Sequence, residues 1–252
     1  MLSDFNGCFA SLEGNMLCVG NEGIERRWDL SQGAPVVISV LDKFAGREWC
    51  GETPYREALR LPHLPLAEPP EVELIASEDD VHGACEPHLK ACVSLTYPNA
   101  KINWLHRIWP GLPIVMSSFE IRKSADHDPV EAEQLADIRG AHYYPAGERM
   151  DHFGLAADHV AYRLARFVAR SDYHDNLVKE DAGLLFRKEH HRLSGHYLHL
   201  RDLARPDNGL LALKIGPPCD EQLNYPGYDF FASSLTLWIG GSGISQGERD
   251  SG

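Results

Sequence analysis

Along much of the chain apolar residues alternate with polar ones, and Gly, Pro, Asn and Asp interrupt the alternation, as expected of strands joined by tight turns. After Lys101, the residues Ile102, Trp104, His106 and Ile108 fall on one face; Pro110-Gly111 intervenes, and Val115, Ser117, Phe119 and Ile121 resume the alternation. Pro presets φ at the second turn position and Gly tolerates positive φ at the third, so a type II turn and a hairpin are predicted. A second hairpin is predicted between Gly195 and Ile215. There Tyr197, His199 and Arg201 alternate with His196, Leu198 and Leu200, Pro206-Asp207-Asn208-Gly209 turns the chain, and Leu211, Leu213 and Ile215 follow on one face. Asn-Gly between apolar runs is a strong short-range hairpin signal. Weaker alternation predicts strands at Met16 to Val19, Gly23 to Asp29, Val36 to Leu41, Val72 to Ala76, Ala91 to Tyr97 and Leu235 to Ile239.

Two segments read differently. Between Ala156 and Arg170, Val160, Arg163, Leu164, Phe167 and Val168 have helical spacing in an alanine-rich stretch, although Val160, Tyr162, Leu164 and Val168 also fit a period of two. On pattern alone helix is favoured. Glu131 to Ile138 reads as a short helix, with Asp128 near its start and Pro129 in its first turn. The 16 prolines and 22 glycines are spread along the chain, which favours many short strands. The predicted fold is therefore all-β, a large antiparallel β-sandwich with at most one or two short helices.

Composition narrows the function. The chain has 252 residues, 43% of them hydrophobic, with 37 acidic against 24 basic side chains and a formal charge of −13. It has the means to bury a core, and it lacks the basic cluster that a polyphosphate needs, so nucleic acid is not an expected partner. No apolar run approaches the roughly 20 residues of a membrane helix, and Met1-Leu2-Ser3-Asp4-Phe5 lacks the basic and apolar regions of a signal peptide. The expectation is a cytoplasmic protein that does not engage a membrane, with Cys8, Cys18, Cys50, Cys85, Cys92 and Cys219 reduced.

The 13 histidines are the first place to look for a metal or a general base. Glu189-His190-His191 with His196 and His199 resembles a ligand cluster, but successive strand positions point to opposite faces, so these read as structural or solvated. Asp126-His127-Asp128 reads as a polar turn. Gly240-Gly241-Ser242-Gly243 lacks the Lys-Ser/Thr of a phosphate loop, and no Gly-x-Ser-x-Gly elbow is present. Neither a metal nor a cofactor is expected. What remains is aromatic and amide-rich: Trp28, Trp49, Trp104 and Trp109, and the run from Gln222 to Phe230. Aromatic faces cover the C–H side of a sugar while amides and carboxylates take its hydroxyls. Pro226-Gly227 would present Tyr225, Tyr228 and Asp229 together, and with Trp28 and Trp49 these are the candidate substrate-binding residues.

Several runs resemble the amino-terminal β-supersandwich of alpha-galactosidase-like enzymes of glycoside hydrolase family 36. They are Gly20 to Trp28, Asp42 to Trp49, Tyr173 to Val178, and Lys214 to Cys219 leading into Asn224 to Phe230. The first is similar to the opening strand of such domains and the second to their next hairpin. The resemblance implies two large antiparallel sheets placed before a (β/α)₈ barrel that holds the chemistry, and it implies a strand over Ala156 to Arg170. We side with the strand there, because sheet context overrides alanine propensity. The family cleaves terminal alpha-galactosides with retention, using two aspartates at the ends of barrel strands. Neither motif is present, so no catalytic residue is carried over. The expected arrangement is a supersandwich over residues 1–240 and, at 241–252, the start of a linker toward a barrel that the chain does not include. Expected partners are a galactoside-type carbohydrate and the barrel of the same parent protein, with a homo-oligomer left open. Two other functions remain open: a stand-alone carbohydrate-binding module, and a sandwich epimerase or lyase using Glu189, His190 and His196 as acid and base.

Overall fold

The computed structural model describes residues 2–31, 35–51, 67–77, 86–97, 100–123, 149–157, 159–169, 177–186, 190–194, 197–213, 219–220, 229–233 and 236–240. Everything regular among them is β-strand, so the all-β antiparallel sandwich class holds. Among the described residues no helix is long and apolar enough to cross a membrane. The chain forms two compact units, one from Met1–Cys50 and Glu57–Ile138, the other from Gly51–Arg56 and Arg139–Gly252.

The first unit begins with a meander in which each strand pairs with the next: β1 (Leu2–Phe5), β2 (Cys8–Glu13), β3 (Met16–Gly20), β4 (Ile24–Asp29), β5 (Val36–Asp42) and β6 (Arg47–Glu48). Local chemistry sets the turns. Asn6 and Gly7 join β1 to β2 with φ of 51° and 84°, the two positive values a type I′ hairpin requires. Gly14 opens the β2–β3 turn at φ 59°, as the first central position of a type II′ turn demands. A second sheet has the order β10 (Val115–Lys123), β9 (Ala100–Ile108), β8 (His88–Tyr97), β7 (Glu71–Ser77).

The predicted 102–121 hairpin is β9 and β10, with Ile108 opposite Val115 and Trp104 opposite Phe119. Gly111 has φ 75° and the Leu112 N–H donates to the Trp109 carbonyl, so the turn is built as the Pro-Gly pair predicts. Alternation places Leu17, Val19, Trp28 and Val40 of one sheet, and Leu89, Val93, Leu95, Ile102 and Trp104 of the other, in the core. The two sheets meet where Trp28 and Trp104 pack edge to face, with ring centroids 5.0 Å apart.

Among its described residues the second unit also has two sheets. One is ordered β11 (Arg149–Gly154), β19 (Thr236–Gly240), β18 (Asp229–Ser233), β14 (His190–Ser194). The other is ordered β13 (Leu177–Phe186), β12 (His159–Ala169), β15 (Tyr197–Asp202), β16 (Gly209–Leu213), and the two-residue β17 (Cys219–Asp220) pairs in parallel with the end of β12. The strand implied over Ala156 to Arg170 is β12, which corrects the helical pattern reading. It is an inner strand of its sheet, paired with β13 on one side and β15 on the other, and these ladders satisfy the backbone that a helix would have bonded internally. Val160, Tyr162 and Leu164 are buried, in agreement with the period of two.

The second predicted hairpin is β15 and β16, with Tyr197 opposite Leu213 and Arg201 opposite Gly209. Its turn differs from the Asn-Gly expectation. The chain turns over residues 203–208, with Arg205 N–H donating to the Asp202 carbonyl and Asn208 N–H to that of Arg205, and Gly209 is already the first residue of β16. The helix read over Glu131 to Ile138 lies outside the described residues.

Candidate functional site

The sequence-predicted binding residues are not gathered in one place among the described residues. Trp28 and Trp49 are 0% and 1% exposed, so their rings are enclosed in the fold and present no open face to a sugar. Asp229 opens β18, where its backbone pairs with Gly240 of β19 and Ser194 of β14. Tyr225 and Tyr228 lie outside the described residues, as do Glu189 and His196; His190 begins β14. Among the described residues no group of three or more His, Cys, Asp or Glu could hold a metal ion.

Polar chemistry is instead concentrated between the sheets of the first unit. His106 follows Trp104 by two along β9, so both point into the core. Its ring packs 4.2 Å from Trp104 and 4.8 Å from Trp28, centroid to centroid, and the Arg26 guanidinium stacks over Trp28 at 4.6 Å. His106 Nδ1 and Ser117 Oγ share a hydrogen bond of 2.9 Å across the β9–β10 ladder. That is the separation of a serine nucleophile and its base. Here it has no such use: the imidazole is fully buried, and its Nε2 finds no hydrogen-bond partner among the described residues, so nothing orients it as a base. Burial holds His106 well below the usual imidazole value, and the Arg26 charge acts in the same direction. The ring is a neutral core residue joined to a neighbouring strand. On the other face of β9, Arg107 Nη1 donates to Ser118 Oγ at 3.2 Å.

A second concentration fixes one end of this unit. Asn21, only 1% exposed, follows β3 and makes four hydrogen bonds. Its Nδ2 donates to the carbonyls of Trp109 and Leu112, at 2.8 and 2.5 Å, and its Oδ1 accepts from the backbone N–H groups of Gly23 and Ile24, at 2.8 and 3.1 Å. One amide thereby ties the β3–β4 turn to the β9–β10 turn. The Lys43 ammonium donates to the Asn21 carbonyl at 2.7 Å and lies over the Phe9 ring. Nearby, Phe44 of the β5–β6 turn is 68% exposed, and Leu112 and Ile114 of the β9–β10 turn are each 49% exposed, alongside the exposed Glu22 of the β3–β4 turn.

Cysteine chemistry is muted. Cys8, Cys18, Cys50 and Cys92 are not disulfide-bonded. Burial, with the Glu48 carboxylate beside it, pushes Cys50 up to about 12 against the opposing Arg26 charge, and burial likewise raises Cys18. Glu48 is otherwise engaged, accepting hydrogen bonds from Val40 N–H, Cys50 N–H and Ser39 Oγ–H. In the second unit Asp202, 3% exposed, accepts from Ala204 N–H at 2.9 Å and shapes the β15–β16 turn.

The structural roles of Asn21, His106 and Asp202 escaped the sequence reading. Only His106 had a signal there, its place on the apolar face of a predicted strand. Fold and site together define a class, the antiparallel β-sandwich proteins with polar residues embedded in the framework. Compared with known proteins, the chain matches no protein-family model and no curated sequence.

Proposed function

We propose that this chain is a non-catalytic β-sandwich domain of an alpha-galactosidase-like glycoside hydrolase of family 36, which supports a separate (β/α)₈ barrel and forms one wall of its sugar pocket. The observation that carries the reading is the employment of buried polar side chains. Asn21, His88, His106, Arg107 and Asp202 are each bonded to a nearby turn or strand, as framework residues are. Retaining hydrolysis requires two carboxylates roughly 5–5.5 Å apart across an anomeric carbon. The carboxylates prominent in the described framework, Glu48 and Asp202, are occupied by backbone N–H groups instead.

The family-like runs support the same reading where they are described. Gly20 to Trp28 closes β3 and forms most of β4, and Asp42 to Trp49 contains the β5–β6 turn, where the Asp42 carboxylate accepts from Ala45 N–H. Titration calorimetry of the chain with galactose and with raffinose tests the proposal. A supporting domain alone gives no heat at millimolar sugar. Binding that disappears in Tyr228→Ala would replace it with a self-sufficient carbohydrate-binding module.

A further inference from the structure

Among the described residues four sheets present eight edge strands, and a sheet edge is a row of backbone donors and acceptors open to another strand. Proteins commonly guard such edges with charge. Seven of the eight include at least one charged residue in their sequence, from Asp4 in β1 to Lys179-Glu180-Asp181 in β13, and the short β17 includes Asp220. The exception is β16. Its five residues, Gly209-Leu210-Leu211-Ala212-Leu213, include no charge, no histidine and no proline, and among the described residues they pair with β15 alone. Leu211 and Leu213 stand 51% and 58% exposed on the outer face of this edge.

The strand is also complementary to itself. In an antiparallel pairing of two copies about a two-fold axis at Leu211, Leu211 meets its own counterpart, Leu210 meets Ala212, and Leu213 meets Gly209. Large faces small at both off-centre positions. Gly209 has no side chain to oppose the incoming leucine, and the His199 ring lies over it, with Nε2 2.6 Å from where a Cβ would stand. Charge permits the approach. Two chains of −13 repel in general, but among the described residues the exposed charges nearest this edge are Arg201, Arg205 and Asp207, which together are not acidic, and Asp202 at the end of β15 is buried.

We propose that β16 is a self-association edge, through which two copies of the chain pair antiparallel at Gly209–Leu213 and join their β13–β12–β15–β16 sheets into one. Sedimentation velocity of the full chain over a concentration series tests this. The wild type should move from monomer to dimer as concentration rises. Leu211→Lys, which sets two ammonium groups opposite each other, should raise the dissociation constant about tenfold or more. Leu184→Lys, on the same face of the distant β13 edge and comparably exposed at 46%, should leave it unchanged.

Register is tested by cysteine substitution with the cross-linked peptides mapped. Leu211→Cys should form a disulfide to itself, since directly opposed Cα atoms lie about 4.5–5.5 Å apart, within bridging range. Leu213→Cys should not, because its counterpart is displaced roughly 13 Å along the strand. A wild type that stays monomeric throughout, a dimer that survives Leu211→Lys, equal weakening by Leu184→Lys, or self-cross-linking at position 213 in place of 211 would each overturn the proposal.

Discussion

The core around Trp28 and Trp104 and the outer face of the β13–β12–β15–β16 sheet break the inside–outside rule in opposite directions. In the first unit polar groups are buried: His106 between two indoles, Arg26 stacked on one of them, Asn21 beneath two turns. In the second unit apolar groups are exposed: Val178, Leu184, Leu211 and Leu213 stand 46–58% open. The difference teaches where each departure draws its support. A buried polar group persists because a bond to a neighbouring strand or turn offsets its lost hydration. Leu211 and Leu213 have no such partner among the described residues, and on the proposal above their place at an uncharged edge serves association, whereas Val178 and Leu184 stand on the charged β13 edge.

Four substitutions sharpen that contrast. Trp104→Ala should cost about 3–5 kcal/mol, read from urea unfolding, because it opens a cavity where the two sheets of the first unit meet. Asn21→Ala follows at about 2–3 kcal/mol, since two turn carbonyls and two N–H groups lose their shared partner in a buried setting. A loss below about 0.5 kcal/mol would show that the amide is not the tie between those turns.

His106 has a pH signature. Below the ordinary imidazole value of about 6.5 the unfolded chain binds a proton that the native ring refuses, so stability is full above that pH and falls as pH drops toward the lowered native value. The slope contributed by this residue is up to about 1.4 kcal/mol per pH unit; His106→Gln should lack it, so the difference in stability between wild type and variant should carry that slope. Equal slopes for the two proteins would place a charged ring in the core. Leu211→Ala, measured in dilute solution where the monomer prevails, should change stability by no more than about 0.5 kcal/mol. A large loss would mean that Leu211 packs within its own unit.

Much of this architecture is legible in the sequence where turn chemistry and period agree. The β9–β10 hairpin combines strict alternation with Pro110-Gly111, and both halves of that signal are realised. Elsewhere one signal misleads. Asn208-Gly209 marks a real hairpin, but the chain turns through 203–208, while the tight type I′ turn sits at Asn6-Gly7, whose flanks lack clear alternation. In β5 a bulge breaks the period. Trp28 pairs with Val37 and Arg27 with Ser39, so Ile38 is passed over and left 41% exposed, while Val37 and Val40 are both buried. In β12 alanine content imitates a helix until pairing on both sides overrides it.

The candidate site was less legible for a related reason. Residue type says that an indole can stack on a sugar, but which side of a strand it occupies decides whether it can be reached. Trp28 and Trp49 are inward on that count. Leu211 and Leu213 share one face as the alternation predicts, yet that face is the open one; sequence period fixes which residues travel together and leaves which side is covered to the packing of the sheet.

The claim that the polar residues of this fold hold a framework, and do no chemistry by themselves, is tested most directly by incubating the purified chain with an aryl alpha-galactoside. The account predicts release of the phenol at the rate of buffer alone. Sustained turnover that a single Asp→Asn or Glu→Gln substitution abolishes would contradict it.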